Sequence, residues 1–124
     1  MRVITLCIAL FFPAIALADD YSGVYLGTNA DSTVYFSVHH NEDDNSVIVA
    51  VLDMSSERWN ATGGQLSMMK VTTTSIFESG TFSLELDFAP TTPVLTVMSC
   101  EYGARVRCYR GFEAGTKYTL FKIL

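Results

Sequence analysis

The chain has 124 residues, of which 49% are hydrophobic, and its thirteen acidic and eight basic side chains give a formal net charge of −5. An acidic chain gains nothing from counterion release on a phosphate backbone, so the composition argues against a nucleic-acid partner. The length and the hydrophobic fraction predict one small domain with a packed core.

The N-terminus has the pattern of a secretory signal peptide. Arg2 supplies a positive start, residues 3–17 are apolar, and an Ala-Leu-Ala sequence ends at Ala18. The apolar run is short for a membrane span and Pro13 interrupts it, so we expect cleavage rather than stable membrane insertion. The alternative is an uncleaved N-terminal anchor. We therefore predict a secreted or periplasmic protein whose single domain covers residues 19–124.

A short strand over residues 21–27 and a long hairpin over residues 33–53 are the first predicted elements. The first arm of the hairpin, residues 33–39, alternates apolar and polar side chains, as a strand with one buried face does. The second arm, residues 46–53, has six consecutive apolar residues, which predicts burial on both faces or nearly so. An acidic loop over residues 40–45 joins the arms.

The opening Gly23-Val24-Tyr25 resembles the Gly-x-Trp start of calycin barrels such as lipocalins and avidins, with Tyr25 in the place of the tryptophan. The resemblance carries no family function to this chain.

Short strands separated by turns continue through the middle of the chain. Residues 58–61 predict a strand, and Gly63-Gly64 predicts a turn after it. Residues 65–77 are extended and β-rich, although residues 66–70 also fit a helical turn. Residues 81–88 alternate apolar and polar side chains, which predicts a strand between core and water.

The C-terminal part predicts three further strands and a disulfide. The strands cover residues 94–100, 105–109 and 117–124, after a proline-containing loop. Signal cleavage would leave Cys100 and Cys108 as the remaining cysteines, and an oxidising compartment favours joining them. The bridge would close a nine-residue loop, for a stabilisation of roughly 2.5 kcal/mol. The alternative, a redox-active pair, lacks the Cys-x-x-Cys spacing.

Seven to nine short strands with regular turns predict an all-β fold, either a small antiparallel β-barrel or a two-layer β-sandwich, with meander connections. The apolar residues of the alternating segments form the predicted core. These are Val34, Phe36, Val38, Val49, Val51, Phe82, Leu84, Leu86 and Val106.

Potential metal ligands and carboxylates occur in two places. His39, His40, Asp43 and Asp44, with Glu42 between them, form the densest set of metal-ligating residue types. Adjacent strand residues point to opposite faces, so one ion does not readily take both histidines, and we favour a solvated acidic turn. Glu85 and Asp87 share one strand face and are the candidates for a pair of catalytic carboxylates. A half-exposed strand shows the same alternation for plain solubility, which is the interpretation that we favour.

The basic residues are concentrated near the C-terminus, where Arg105 and Arg107 fall on one strand face beside Tyr109. One interpretation is a docking patch for an acidic partner. The other, which we favour, is that both arginines pair with acids across the sheet. Asn60-Ala61-Thr62 is a glycosylation acceptor sequence if the source is eukaryotic.

The function predicted from these residues is a non-catalytic binding module that recognises a protein or a small ligand through a barrel mouth or a sheet face. No cofactor is predicted. One alternative is a small enzyme that uses Glu85 and Asp87 or the loop of His39 and His40. Another is an assembly subunit, since residues 46–52 are uncharged and β-prone and would template pairing if they lay on an exposed edge.

Overall fold

A computed structural model of the chain describes residues 20–53, 58–75, 81–101, 108 and 112–124, with the backbone only at residues 53 and 58–60. The described part is all-β and contains no helix long and apolar enough to span a membrane. Its eight strands are β1 (Gly23–Thr28), β2 (Thr33–Asn41), β3 (Ser46–Asp53), β4 (Arg58–Ser67), β5 (Lys70–Ser75), β6 (Thr81–Asp87), β7 (Val94–Glu101) and β8 (Lys117–Lys122).

The strands form a closed antiparallel barrel in which each strand pairs with its neighbours along the chain. The last strand returns to the first, with Leu26 opposite Phe121 and Thr28 opposite Thr119. Closure leaves no sheet edge within the barrel. The predicted all-β meander is therefore confirmed, and of the two architectures it is the barrel.

The interior is filled by the apolar side chains of the alternating strands. Most of the predicted core is confirmed, because seven of its members are at most 3% exposed: Phe36, Val38, Val49, Val51, Phe82, Leu84 and Leu86. Val34 is partly buried and packs against this cluster. Val106 lies outside the described residues.

The prediction that the second hairpin arm is buried on both faces is wrong. Val47, Val49 and Val51 point inward, whereas Ile48 is 44% exposed on the outer surface. The strand belongs to a single-layer barrel, so only one of its faces meets the core. An uninterrupted apolar run cannot distinguish that case from a doubly covered strand.

The turn predicted at Gly63-Gly64 is also wrong, because both residues lie inside β4. A Cβ on Gly64 would collide with the backbone oxygen of Thr72 on the neighbouring strand, so the glycine permits a close approach of two strands. The turn instead falls at Met68 and Met69, whose φ angles are 52° and 66°. The helical alternative for residues 66–70 is likewise not found.

The seam between β5 and β6 is closed partly by hydroxyl side chains. Among the described residues, their backbones pair from Lys70–Thr72 to Asp87–Glu85 and no further. Beyond that, Thr73 Oγ1 accepts from the Leu84 N–H at 3.0 Å and donates to the Leu84 carbonyl at 3.2 Å. In the same way, Ser75 Oγ accepts from the Phe82 N–H at 2.5 Å and donates to the Phe82 carbonyl at 3.2 Å. A register shift toward β7 occurs at Ser83/Leu84 on the same strand.

The predicted disulfide is present. Cys100 at the end of β7 is bonded to Cys108, with their Cα atoms 5.6 Å apart. Because Phe82 lies opposite Cys100, the bridge ties the β7–β8 connection to the same end of the barrel as the start of β6.

Candidate functional site

One half of the barrel interior is packed with aromatic rings. Phe36 lies 6.2 Å from Phe112 and 5.7 Å from Tyr118, measured between ring centroids, and Phe82 lies 6.1 Å from Phe112. All four side chains are at most 1% exposed. A Cβ on Gly27 would come within 2.5 Å of the Phe36 ring, so this glycine makes room for the cluster. The rings occupy the volume in which a small ligand would otherwise bind.

The hydroxyl of Tyr118 is the polar end of this aromatic cluster. It lies 3.1 Å from Ser32 Oγ, in the turn between β1 and β2. Burial raises the pKa of Tyr118 because the phenolate would lose its hydration there. The group is therefore a neutral hydrogen-bonding partner at neutral pH.

His40 closes the opposite end of the barrel. Its side chain is 3% exposed, and Nδ1 accepts a hydrogen bond from the Tyr21 backbone N–H at 3.3 Å. The ring proton therefore resides on Nε2, which donates to Asn45 Oδ1 at 3.2 Å. Both nitrogens have hydrogen-bond partners, so the ring serves as a structural plug.

The N-terminal segment, residues 20–22, packs against His40. Tyr21 stacks on Phe88 with ring centroids 4.2 Å apart, and its carbonyl accepts from Tyr25 Oη at 2.7 Å. Asp20 lies 3.8 Å from His40 Nδ1 and accepts from the Ser22 N–H at 2.9 Å. That backbone hydrogen bond is the main reason that the pKa of Asp20 is below its ordinary value.

The residues of the predicted metal site are not brought together. His39 is exposed on the outer face while His40 points inward, and Asp44 accepts from the Ser46 N–H at 2.9 Å. This hydrogen bond lowers the pKa of Asp44. In the described part of the chain, no three His, Cys, Asp or Glu residues are grouped as metal ligands would be. Metal binding by His39, His40, Asp43 and Asp44 stays a prediction.

The two candidate carboxylates lie on the outer surface of β6 and are partly buried there. Glu85 is opposite Thr72 on one side and Thr96 on the other. Asp87 is opposite Lys70 and accepts from the Ala89 N–H at 3.0 Å. These are the surroundings of solvated strand residues.

Arg105, Arg107 and Tyr109 lie outside the described residues. In the sequence they fall between Glu101 and Phe112, in the connection from β7 to β8. Neither the docking interpretation nor the pairing interpretation is decided for them.

The outer surface of β1–β4 has a feature that the sequence analysis missed. Apart from Asp53 and Arg58, which are paired with each other at the end of β3 and the start of β4, these strands contain no Asp, Glu, Lys or Arg. We call their outward-facing side the neutral wall. The strands β5–β8, in contrast, carry Lys70, Glu85, Asp87, Glu101, Lys117 and Lys122.

A row of large apolar residues crosses the neutral wall and continues onto β8. Phe121 is opposite Leu26, Leu26 is opposite Tyr35, and Tyr35 is opposite Leu52. Tyr35 is 36% exposed and Phe121 is 45% exposed. We call these four residues the apolar row; the register partner of Leu52 on β4 is Trp59.

Small side chains lie immediately beside the apolar row. Ser37 is opposite Ala50 and Ala50 is opposite Ala61, two residues further along each strand. We call these three residues the small-residue row. Beyond them, Ile48 is paired with Gly63 and is again exposed. A signal for this surface was present in the sequence as four stretches without charge, over residues 21–30, 32–41, 45–52 and 59–69, but only the strand register aligns them.

Comparison with known proteins gave no relative: no family model, no curated protein and no solved structure matches the chain.

Proposed function

We propose that the chain is a secreted or periplasmic, non-catalytic binding module that recognises a protein through its neutral wall. The observation that carries this proposal is the apolar row, in which Tyr35 and Phe121 are exposed and Leu26 and Leu52 partly buried, on a protein with a net charge of −5. Contiguous exposed apolar surface is characteristic of interaction sites. The centres of protein interfaces are also depleted of charge and enriched in aromatic residues.

The packed interior favours the outer surface over the barrel mouth as the binding site. Phe36, Phe82 and Phe112 fill one half of the barrel, and His40 closes the other end with both ring nitrogens bonded. A ligand in the interior would have to displace these side chains and break those hydrogen bonds. A partner on the wall displaces only water.

Pairing between strand edges is a less suitable mode of recognition for this barrel. The uncharged segment over residues 46–52 belongs to β3, which is paired with β2 on one side and β4 on the other. Its backbone groups are therefore already used. The disulfide between Cys100 and Cys108 is compatible with an exported protein, as expected from the N-terminal signal.

Site-specific photo-crosslinking tests the proposal. One variant carries a photoreactive amino acid in place of Tyr35, and the control carries it in place of Thr72, an exposed position on the outer face of β5. Each purified protein is irradiated in fluid from the secreted or periplasmic compartment of its source. We expect discrete protein adducts from position 35 and none from position 72.

Two results would contradict this proposal. The first is a lack of adducts from position 35, or the same adducts from both positions. The second is an enzymatic turnover that is lost when Glu85 and Asp87 are changed to amides, because that would favour the catalytic alternative.

A further inference from the structure

On the basis of the proposed function, we infer that the protein bound by the neutral wall is a second copy of this chain, packed wall to wall about a two-fold axis. Most soluble oligomers have such symmetry, which requires a surface that is complementary to itself. The charge, the shape and the size of the neutral wall each bear on this inference.

The charge distribution selects this surface for contact between identical chains. Two copies that each carry a net charge of −5 repel one another at long range. Contact through β6 would bring Glu85 and Asp87 of one copy close to charges of the other. The neutral wall is the part of the described barrel surface on which two copies meet without burying a charge, which avoids the desolvation cost of unpaired ions.

The shape of the wall is self-complementary. The apolar row is a ridge, and the small-residue row beside it is a shallow groove, about 6.8 Å away along the strands. A two-fold axis that lies in the interface plane, parallel to the two rows and midway between them, places the part of each ridge formed by Tyr35 and Leu52 over the groove of the other copy. Tyr35 of one copy then lies over Ser37 of its partner, and Leu52 lies over Ala50.

The size of the wall predicts a weak dimer. The neutral wall and the adjoining strand β8 together comprise five strands at about 4.8 Å spacing, and three rows at about 6.8 Å give them a flat area of roughly 500 Å². Side chains that protrude from this flat area raise its accessible surface toward the ~800 Å² per partner of a standard interface. The curvature of the barrel lowers the part of that surface that a partner can cover. We therefore expect a reversible dimer with a Kd of about 10–100 µM.

Sedimentation velocity between about 1 and 500 µM protein measures this equilibrium directly. The wild type should shift from monomer to dimer across that range. Tyr35→Lys should remain monomeric, because two lysines would be buried near the axis. Thr72→Lys adds the same charge on the outer face of β5 and should dimerise like the wild type. Unchanged far-ultraviolet circular dichroism establishes that both variants are folded.

A second variant distinguishes ridge-in-groove packing from non-specific apolar association. Ala50→Phe adds apolar surface but fills the groove. The two-fold model predicts that it weakens dimerisation by tenfold or more, whereas non-specific apolar association would be strengthened. Stronger association of Ala50→Phe would overturn the inference.

Salt gives an independent test of what the wall contacts. Raising NaCl from about 50 to 500 mM screens repulsion between two acidic copies and should tighten the dimer severalfold. A salt-weakened association would contradict the inference, because it indicates attraction between opposite charges.

The inference and the proposed function can fail separately. If the wild type stays monomeric at about 500 µM while position 35 crosslinks a different protein, the second-copy inference is overturned and the proposed function stands. If the protein stays monomeric and position 35 gives no adduct, both are overturned.

Discussion

The two halves of the barrel share one interior but differ on the outside. Strands β1–β4 are joined by continuous backbone pairing and present the neutral wall. Strands β5–β8 carry charged outer positions, and the seam between β5 and β6 is closed by the hydroxyls of Thr73 and Ser75. Packing requirements are the same for both halves, so they do not explain a charge-free surface on only one of them. The difference supports recognition by the first half.

The largest effect we predict is a difference in stability between substitutions at two adjacent residues, one in the barrel interior and one on the neutral wall. Phe36→Ala removes a fully buried ring from the aromatic cluster and should lower the free energy of unfolding by about 3–5 kcal/mol. Tyr35→Ala, on the outer face, should cost less than about 1 kcal/mol. Urea unfolding of both variants measures the contrast. Equal losses would mean that the wall is part of the folding core rather than a free surface.

The next prediction concerns the hydroxyl-closed seam. Thr73→Val keeps the shape of the side chain but leaves the N–H and carbonyl of Leu84 without the bonds that Oγ1 makes. We expect a loss of about 2–4 kcal/mol, the cost of buried polar groups without partners. Thr74→Val, one residue along and exposed, is the control and should change stability by no more than about 0.5 kcal/mol. If thermal unfolding shows no difference between the two variants, the seam is not held by this hydroxyl.

The smallest effect lies at the turn that joins the two halves. Met68 and Met69 both have positive φ, a conformation that Asn and Gly adopt at lower cost. The double variant Met68→Asn/Met69→Gly should therefore stabilise the protein by about 1–2 kcal/mol. Thr96→Gly, at a regularly paired position of β7, is the control and should be destabilising. A destabilised double variant would show that the methionine side chains contribute more than their backbone strain costs.

The sequence predicted the fold where alternation is regular. Residues 81–88 and the first hairpin arm gave the correct inward faces, because period-two patterns report burial directly. The prediction from sequence was wrong where the role of a residue depends on the adjacent strand. Gly63-Gly64 has the composition of a turn, yet Gly64 is required by the proximity of Thr72 on the adjacent strand. The real turn uses two methionines, which carry no turn signal.

The candidate site was harder to predict because it is defined by register. Leu26, Tyr35, Leu52 and Phe121 are distant in sequence, and each looks like an ordinary strand residue. They form one row only after the strands are aligned. The candidate sites that the sequence suggested were compact groups, such as His39 with His40, which strand alternation sends to opposite faces. Another candidate was the pair Arg105 and Arg107, which lies outside the described residues.

The central claim, that the neutral wall binds a second copy of the chain, is tested most directly by amide chemical shifts in a dilution series. The purified, isotope-labelled protein is recorded between about 10 and 500 µM. We predict concentration-dependent shifts confined to the wall, strongest at Tyr35, Ala50 and Leu52, with β6 unchanged. Shifts centred on Glu85 and Asp87, or a spectrum that does not depend on concentration, would contradict self-association through this wall.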